Sequence, residues 1–169
     1  EVGREVILRD KLAQDDTSFD YVLIDCPPSL GVLTINALTM VRQVLLPLQP
    51  HFLALHGLSK LLRTIEIVSQ RLNRDLRLTG VVLCMYDANT RLANEVSDDV
   101  VAYFQGEKAP AGIAAHAQTF PTRIRRNVRL AEAPSFGQSI LQYSPTSPGA
   151  ADYGSLAVEV LAAAAGRSI

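Results

Sequence analysis

The sequence is short of the features that mark membrane, disulfide-rich and metal-binding proteins. Its 169 residues include no tryptophan and only two cysteines. No apolar run approaches the roughly 18 residues that would span a bilayer. Cys26 and Cys84 lie in or beside apolar runs, where a thiol is more often a small core residue than a disulfide partner or a metal ligand. These absences predict a soluble chain without a structural disulfide or metal cluster.

The length and composition are typical of one compact domain. Hydrophobic residues make up 48% of the chain and charged residues 20%, which is enough apolar material to bury a core. We therefore expect residues 1–169 to form a single domain. The first residues lack a signal-peptide pattern, which predicts a cytoplasmic location. The chain begins with Glu1 rather than Met, which suggests a trimmed protein or a piece of a longer one.

Short apolar runs alternate with longer amphipathic stretches along the chain. Nearly continuous apolar runs predict buried parallel strands at residues 21–25, 44–48 and 78–86, with a weaker strand at 114–120. Amphipathic spacing predicts three helices: one at residues 54–73, one from about residue 90, and one at the end of the chain. The second is expected to point Leu92, Val96, Val100 and Phe104 inward. The last is expected to point Tyr153, Leu156, Ala157, Val160 and Leu161 inward. The alternation predicts an α/β fold, a mostly parallel twisted sheet with helices on both faces.

In such a sheet, ligands bind at the carboxyl ends of the strands. Asp25 directly follows the first predicted strand, and Cys26, Pro27 and Pro28 follow it. A carboxylate in this place can hold Mg²⁺ directly or through water, and it can equally cap the next helix. Two consecutive prolines restrict how the loop leaves the strand, which favours a loop that responds to a ligand.

Five blocks of sequence resemble one family of nucleotide-dependent proteins. DYVLIDCPPSLGVLTINAL resembles the Walker B and switch II region of the ParA/Soj partitioning ATPases, which belong to the deviant Walker A group with MinD. Four further blocks resemble the same family in the same order: VLLPLQPHFLALHGLSKLL, LTGVVLCMYDANTRLANEV, RRNVRLAEAPSFGQSILQYSP and GAADYGSLAVEVL. One departure is Arg125, which stands where the family usually has proline.

The resemblance implies a P-loop NTPase-like fold, with ATP and Mg²⁺ as cofactors of an ATPase. It implies that Asp25 positions Mg²⁺, through water, and that the adenine lies between the 86–89 loop and the 126–127 turn. The residues implied for the nucleotide site are Asp25, Cys26, Pro27, Pro28, Tyr86, Asp87, Arg126, Asn127, Glu132 and Pro134. It also implies an ATP-dependent homodimer, non-specific DNA binding on the nucleoid, and a centromere-binding ParB-like partner.

One part of the family pattern is missing from the sequence. There is no phosphate loop of the form GxxxxGKS or GxxxxGKT, and no Asp-Pro-Gln-Gly-Asn motif. The corresponding part of the family also supplies the strand beside the one that ends at Asp25. We therefore expect an incomplete sheet in which residues 21–25 leave backbone groups unpaired. We interpret the chain as the C-terminal two-thirds of a ParA-type ATPase that does not hydrolyse ATP by itself.

Four arginines fall within residues 123–129 with no acid among them: Arg123, Arg125, Arg126 and Arg129. Clustered arginines favour phosphate backbones. With the family resemblance, they predict a non-specific duplex-DNA surface of Arg91, Arg123, Arg125 and Arg129, whereas Arg126 could serve the nucleotide pocket instead.

Two alternative functions stay open. One is a MinD-like ATPase at a membrane, which the sparse apolar bulk of the terminal LAAAAGRSI disfavours. The other is a non-catalytic interaction domain.

Overall fold

The computed structural model describes residues 3–27, 29, 31–105 and 112–165. In chain order its elements are α1 (Ile7–Leu12), α2 (Val32–Met40), β1 (Gln43–Leu48), α3 (Ala54–Arg71), β2 (Arg77–Tyr86), α4 (Arg91–Gln105), β3 (Gln118–Thr119), β4 (Ile124–Arg125), α5 (Val128–Glu132), α6 (Ile140–Tyr143) and α7 (Pro148–Ala164). Short 3₁₀ turns cover Gly112–Ala114 and Ala133–Phe136. None of the helices described here has the length and apolar character needed to cross a membrane.

The four strands form a parallel sheet centred on β2. β1 lies along one edge of β2, with Leu46 opposite Val81. β3 and β4 lie one after the other along its second edge. β2 and β3 approach closely at Gly80, where an added Cβ would lie 2.5 Å from the backbone oxygen of Gln118. The parallel α/β sheet is the one that the sequence predicts.

The core has two parts, one on each face of the sheet. Val81 and Leu83 of β2 belong to the larger part, which packs against α3 and α4. Val82 belongs to the smaller part, with Ile124 of β4 and Leu156 of α7. Alternate residues of a strand point to opposite faces, so one strand supports both parts. The prediction of helices on both faces is confirmed.

Most of the predicted elements are confirmed, but four predicted core positions are wrong. Leu92, in the first turn of α4, is 48% exposed because it lies outside the stripe formed by Val96, Val100 and Phe104. Tyr153 and Leu161 of α7 are 44% and 50% exposed. Ala157 of the same helix is exposed as well. α7 contacts the sheet mainly at β4, so it buries a narrower stripe than its apolar sequence suggests.

The predicted strand at residues 21–25 is absent from the structure. Tyr21 is 58% exposed and Leu23 is 91% exposed. Among the described residues, no backbone–backbone hydrogen bond involves residues 18–27. A strand needs a neighbour to satisfy its N–H and C=O groups, and the sheet offers none beside this segment: β1 pairs with β2 alone among the described strands. The expectation of unpaired backbone at residues 21–25 is thereby confirmed.

Candidate functional site

A cavity of about 560 Å³ opens beside the carboxyl ends of β2 and β4. Its lining residues are Cys84, Met85, Ile124, Arg125, Arg126, Asn127, Val128, Leu130, Ala131 and Tyr153. Most of this lining is apolar, and residues 125–127 add charged and polar groups. A cavity of this volume and composition is typical of small-molecule sites. Its position also agrees with the rule that ligands bind at the carboxyl ends of parallel strands.

Tyr86 connects the end of β2 to two neighbouring elements. Its side chain is 6% exposed, and the Arg123 guanidinium carbon lies 4.6 Å from its ring centroid. Arg123 Nη1 donates a hydrogen bond of 2.6 Å to the Tyr86 hydroxyl, which in turn bonds to Asn94 Oδ1 on α4. The Tyr86 hydroxyl thus accepts one hydrogen bond and donates another, and the cation–π contact with Arg123 adds a third interaction. This network fixes the end of β2 against α4 and against the residue before β4.

The 87–90 turn closes on itself and on α4. Asp87 Oδ1 accepts a hydrogen bond from the Asn89 amide at 3.0 Å, as in an Asx turn. The Thr90 hydroxyl donates to the Asp87 carbonyl at 2.9 Å. Asn94 Nδ2 donates to the Ala88 carbonyl at 3.1 Å, so the residue that bonds to Tyr86 also holds this turn.

The start of β4 is anchored to α7 by two carboxylates. Glu159 accepts hydrogen bonds from the Thr122 amide and hydroxyl, at 3.2 and 2.6 Å. Asp152, 8% exposed, accepts from the Arg125 amide at 3.0 Å and from Arg125 Nη2 at 2.7 Å. The amide bond to Asp152 depends on residue 125 not being proline, since proline has no N–H. The departure from the family pattern at this position therefore creates an anchor.

The ion pair between Arg125 and Asp152 controls the charge state of both groups. Burial alone would raise the pKa of Asp152, but the hydrogen bonds and positive charge of Arg125 outweigh it and lower that pKa. The hydrogen bonds and negative charge of Asp152 raise the pKa of Arg125. Both groups are therefore charged near neutral pH.

The beginning of α5 carries a second ion pair. Asn127 caps this helix, and its side chain accepts from the Arg129 amide at 2.8 Å. Arg129 Nη1 donates to Glu132 Oε2 at 2.8 Å, and the Tyr143 hydroxyl donates to the same oxygen at 3.1 Å. The hydrogen bond from Arg129, followed by that from Tyr143, lowers the pKa of Glu132. The Glu132 carboxylate thus binds groups of α5 and α6, through Arg129 and Tyr143.

Cys84 and Tyr153 contribute neutral surface to the cavity. Burial raises the pKa of the Cys84 thiol, although a backbone hydrogen bond with Leu48 partly offsets the increase. Burial, with a smaller effect of Cys84, also raises the pKa of Tyr153. Neither group is therefore ionised at neutral pH, and Cys84 serves as a small apolar residue of the wall.

Among the described residues, no hydrogen bond joins Asp25, Cys26 or Pro27 to this anchored region. Asp25, Cys26 and Pro27 are exposed, and Pro28 lies outside the described residues. Thr34 of α2 connects this loop to a helix. Its hydroxyl donates to the Pro27 carbonyl at 3.4 Å and to the Ser29 carbonyl at 2.6 Å. Burial and then the Asp25 charge raise the pKa of Cys26, so its thiol is neutral.

The structure brings together only part of the predicted nucleotide set. Arg126 and Asn127 line the cavity, and the Arg126 amide donates to the Tyr86 carbonyl at 3.0 Å. Tyr86 and Asp87 lie at the adjoining strand end without lining the cavity, and Glu132 and Pro134 do not line it either. Glu132 instead pairs with Arg129.

Several lining residues were not predicted: Met85, Val128, Leu130, Ala131 and Tyr153. No sequence signal marks them as site residues, since apolar side chains beside a strand end also fit a core.

The arginines predicted for DNA mostly have partners of their own. Arg123 bonds to Tyr86, and Arg125 and Arg129 form ion pairs with Asp152 and Glu132 while remaining 53% exposed. Arg91 is 92% exposed and pairs with Glu95 one turn away. The Arg126 side chain has no hydrogen-bond or ion-pair partner within the described ranges. Arg126 is therefore the guanidinium of the 123–129 cluster that is most available to an anionic ligand.

Within the described ranges, the carboxylates that could bind a metal ion stand alone and do not form a cluster. No group of three or more His, Cys, Asp or Glu side chains is placed to hold an ion there. Mg²⁺ commonly keeps several waters and uses one or two carboxylates with phosphate oxygens. The exposed Asp25 carboxylate fits the role of one such ligand.

The chain is similar in sequence to several known proteins. Residues 1–78 match a family model described as an AAA domain. The chain is 48% identical over 160 residues to the chromosome-partitioning ATPase Soj of Thermus thermophilus, covering 95% of this chain and 59% of that protein. It is 46% identical over 160 residues to the chromosome partitioning protein ParA of Caulobacter vibrioides, covering 94% and 56%. The chain is thus similar to Soj and ParA partitioning proteins over about 95% of its length.

The fold of the chain is also similar to that of a solved nucleotide complex. Cobyrinic acid a,c-diamide synthase from Mycobacterium smegmatis, with bound ATP analog and magnesium, matches with a TM-score of 0.72 and 36% identity. The match covers 96% of this chain and 55% of that one. The sheet is thus P-loop NTPase-like, as the sequence predicts. The chain spans somewhat less than 60% of the length of the two partitioning proteins compared above.

Proposed function

We propose that the chain forms the base-binding side of a Mg-ATP site in a ParA-type partitioning ATPase. The observation that carries this proposal is the cavity at the carboxyl ends of β2 and β4, lined by Arg126 and Asn127. Its apolar lining fits the face of a planar base, and the polar residues fit the edge of the base or the ribose. The names of the relatives support the same class of ligand, since one is a partitioning ATPase and a structural neighbour holds an ATP analog with magnesium.

The residues of this chain have distinct roles in the proposed site. Arg126 offers an unpaired positive charge to the ligand, and Asn127 keeps α5 capped beside the cavity. Tyr86, through Arg123 and Asn94, fixes the loop between β2 and α4. Asp25 offers an oxygen ligand for the Mg²⁺ ion that accompanies the phosphates. Bound Mg-ATP supplies the phosphoryl group that is transferred to water.

A calorimetric titration of Mg-ATP tests the proposal. We expect binding by a version extended upstream to include a phosphate loop, and weaker binding by its Arg126→Ala variant. The 169-residue chain has no phosphate loop, and we expect it neither to bind Mg-ATP tightly nor to hydrolyse it. Arg91→Ala is the matched control, because Arg91 is exposed on α4 and pairs only with Glu95 among the described residues.

Two results would contradict this assignment. Equal Mg-ATP affinity in the Arg126→Ala and wild-type extended proteins would remove Arg126 from the site. Mg-dependent turnover by the 169-residue chain, above that of its Asp25→Ala variant, would show that other residues hold the triphosphate.

The wider function proposed is segregation of chromosomes or plasmids. In this proposal an ATP-dependent homodimer binds DNA without sequence preference on the nucleoid, and a ParB-like partner stimulates hydrolysis. The partitioning names of the relatives support this role. Arg123, Arg125, Arg129 and Arg91 are the proposed DNA contacts. The partial exposure of Arg125 and Arg129 leaves their charges accessible to phosphates despite their ion pairs.

A salt titration of duplex-DNA affinity tests the DNA surface in the extended, ATP-bound protein. We expect the combined Arg123→Ala, Arg125→Ala and Arg129→Ala variant to bind more weakly and with a shallower salt dependence, because each lost phosphate contact reduces the slope. Affinity and slope equal to those of wild type would rule this surface out.

A further inference from the structure

Met85 has an unusual backbone conformation at the edge of the cavity. Its φ is 53°, the one positive φ at a non-glycine residue among the described residues. It lies in an irregularity of β2, between Cys84, which pairs with Ile124, and Tyr86, which pairs with Arg125. Left-handed backbone is uncommon outside glycine, asparagine and aspartate and costs free energy for a residue such as methionine.

The irregularity changes the direction of the Met85 side chain. Consecutive residues of a regular strand point to opposite faces of the sheet. Cys84 and Met85 nevertheless line the same cavity. Bulges commonly redirect a side chain in this way next to functional sites. The left-handed conformation thus brings Met85 to the cavity wall.

Packing among the described residues offsets little of this strain. Met85 is 54% exposed and belongs to neither part of the hydrophobic core. Glycine or asparagine would adopt the same φ at lower cost. The benefit of methionine at this position therefore lies in a contact that the described residues do not supply.

We propose that Met85 is the residue of the cavity wall against which the flat face of an aromatic base packs. This inference rests on the proposed function and deepens it. A thioether is polarisable, adapts to irregular surfaces and makes favourable contacts with aromatic rings. Val128 and Leu130 line the same cavity and add further apolar surface. Met85 acts here as a specificity-determining contact and takes no part in bond breaking.

The test separates the backbone of Met85 from its side chain. Met85→Gly removes both the strain and the apolar contact, so we expect the melting temperature to rise by about 2 °C and base affinity to fall about tenfold. Met85→Asn, which tolerates the left-handed region, should behave similarly. Met85→Leu keeps both the strain and the apolar bulk, so its base affinity should stay within about twofold of wild type.

The probe is adenosine, titrated into the 169-residue chain while the methyl resonances of Met85, Val128 and Leu130 are followed by NMR. Ribose 5-phosphate, which has no base, is the control ligand and should leave the Met85 methyl unchanged. Adenosine shifts that persist at Val128 and Leu130 with unchanged affinity in Met85→Gly would overturn the role of Met85 alone. Absence of any adenosine shift in wild type would instead overturn the base site of the proposed function. A lower melting temperature for both Met85→Gly and Met85→Asn would contradict the strain.

Discussion

Residues 122–127 are anchored to the rest of the molecule at several points, whereas residues 21–27 are nearly unattached. The anchors of the first segment run from Thr122 to Glu159, from Arg123 to Tyr86, from Arg125 to Asp152 and from the Arg126 amide to the Tyr86 carbonyl. In the second segment the described contact with a helix is the one from Thr34 to the Pro27 carbonyl. The two segments are the proposed base side and metal side of one site.

The difference shows what a strand needs besides a suitable sequence. Residues 21–24 are rich in strand-forming side chains, but they have no neighbouring strand among the described residues, and Tyr21, Val22 and Leu23 are exposed. Residues 124–125 include an arginine, yet they pair with β2 and are braced by α7. Backbone pairing and side-chain anchors therefore decide whether a segment forms a strand, because an unpaired segment gains too little free energy to offset the conformational entropy lost on ordering.

The largest expected effect is that of Ile124→Ala in the anchored segment. Ile124 is 4% exposed and packs with Val82, Phe120 and Leu156. Removing its buried atoms leaves a cavity, so the free energy of unfolding should fall by about 2–5 kcal/mol. Urea denaturation of the 169-residue chain measures the change.

Ile7→Ala is the matched control for this substitution. Ile7 lies in α1 and is 54% exposed, so the same change should alter the free energy of unfolding by no more than about 0.5 kcal/mol. Equal losses in the two variants would mean that β4 does not pack as described.

Asp152→Ala should have a somewhat smaller effect, through the anchor between β4 and α7. The substitution removes the carboxylate that accepts from the Arg125 amide and guanidinium. Hydrogen bonds to charged groups contribute about 1.5–3 kcal/mol, and the 53% exposure of Arg125 reduces the effect, so we expect a loss of about 2 kcal/mol. Glu95→Ala, which breaks an exposed pair with Arg91, should cost about 0.5 kcal/mol or less. A loss for Asp152→Ala no larger than that of this control would show that the anchor is not important for stability.

The same anchor predicts a specific pH dependence. The pKa of Asp152 is lowered below its ordinary value of 3.8 in the folded chain, because the contacts with Arg125 outweigh the effect of burial. Its stabilising contribution is therefore complete above 3.8 and is lost as the pH falls through the lower folded-state pKa. Unfolding of wild type and Asp152→Asn across this range should show a stability difference that shrinks as the pH falls. A difference that stays constant would contradict the lowered pKa.

The sequence predicts elements that are set by local pattern and misses features set by tertiary contacts. The nearly continuous apolar runs of β1 and β2 and the amphipathic spacing of α3 are visible in the sequence, and all three elements form. The same kind of pattern at residues 21–25 fails, since it contains no information about a missing neighbour.

The candidate site shows the same division between local and tertiary information. Arg126 and Asn127 follow from the resemblance and line the cavity. The left-handed backbone of Met85 has no counterpart in composition or periodicity. The arginine cluster contains no acid in sequence, but Asp152 and Glu132 reach it through α7 and α5.

The smallest expected effect is that of Leu23→Ser in the unattached segment. Leu23 is 91% exposed, so the substitution removes almost no buried surface and should change the free energy of unfolding by no more than about 0.5 kcal/mol. Urea denaturation at two protein concentrations measures it, with Leu141→Ser, 57% exposed on α6, as the control. A loss well above that of the control would mean that residues 21–25 pair in solution. A dependence of that loss on protein concentration would identify a second copy of the chain as the partner, because exposed strand-forming segments are templates for such pairing.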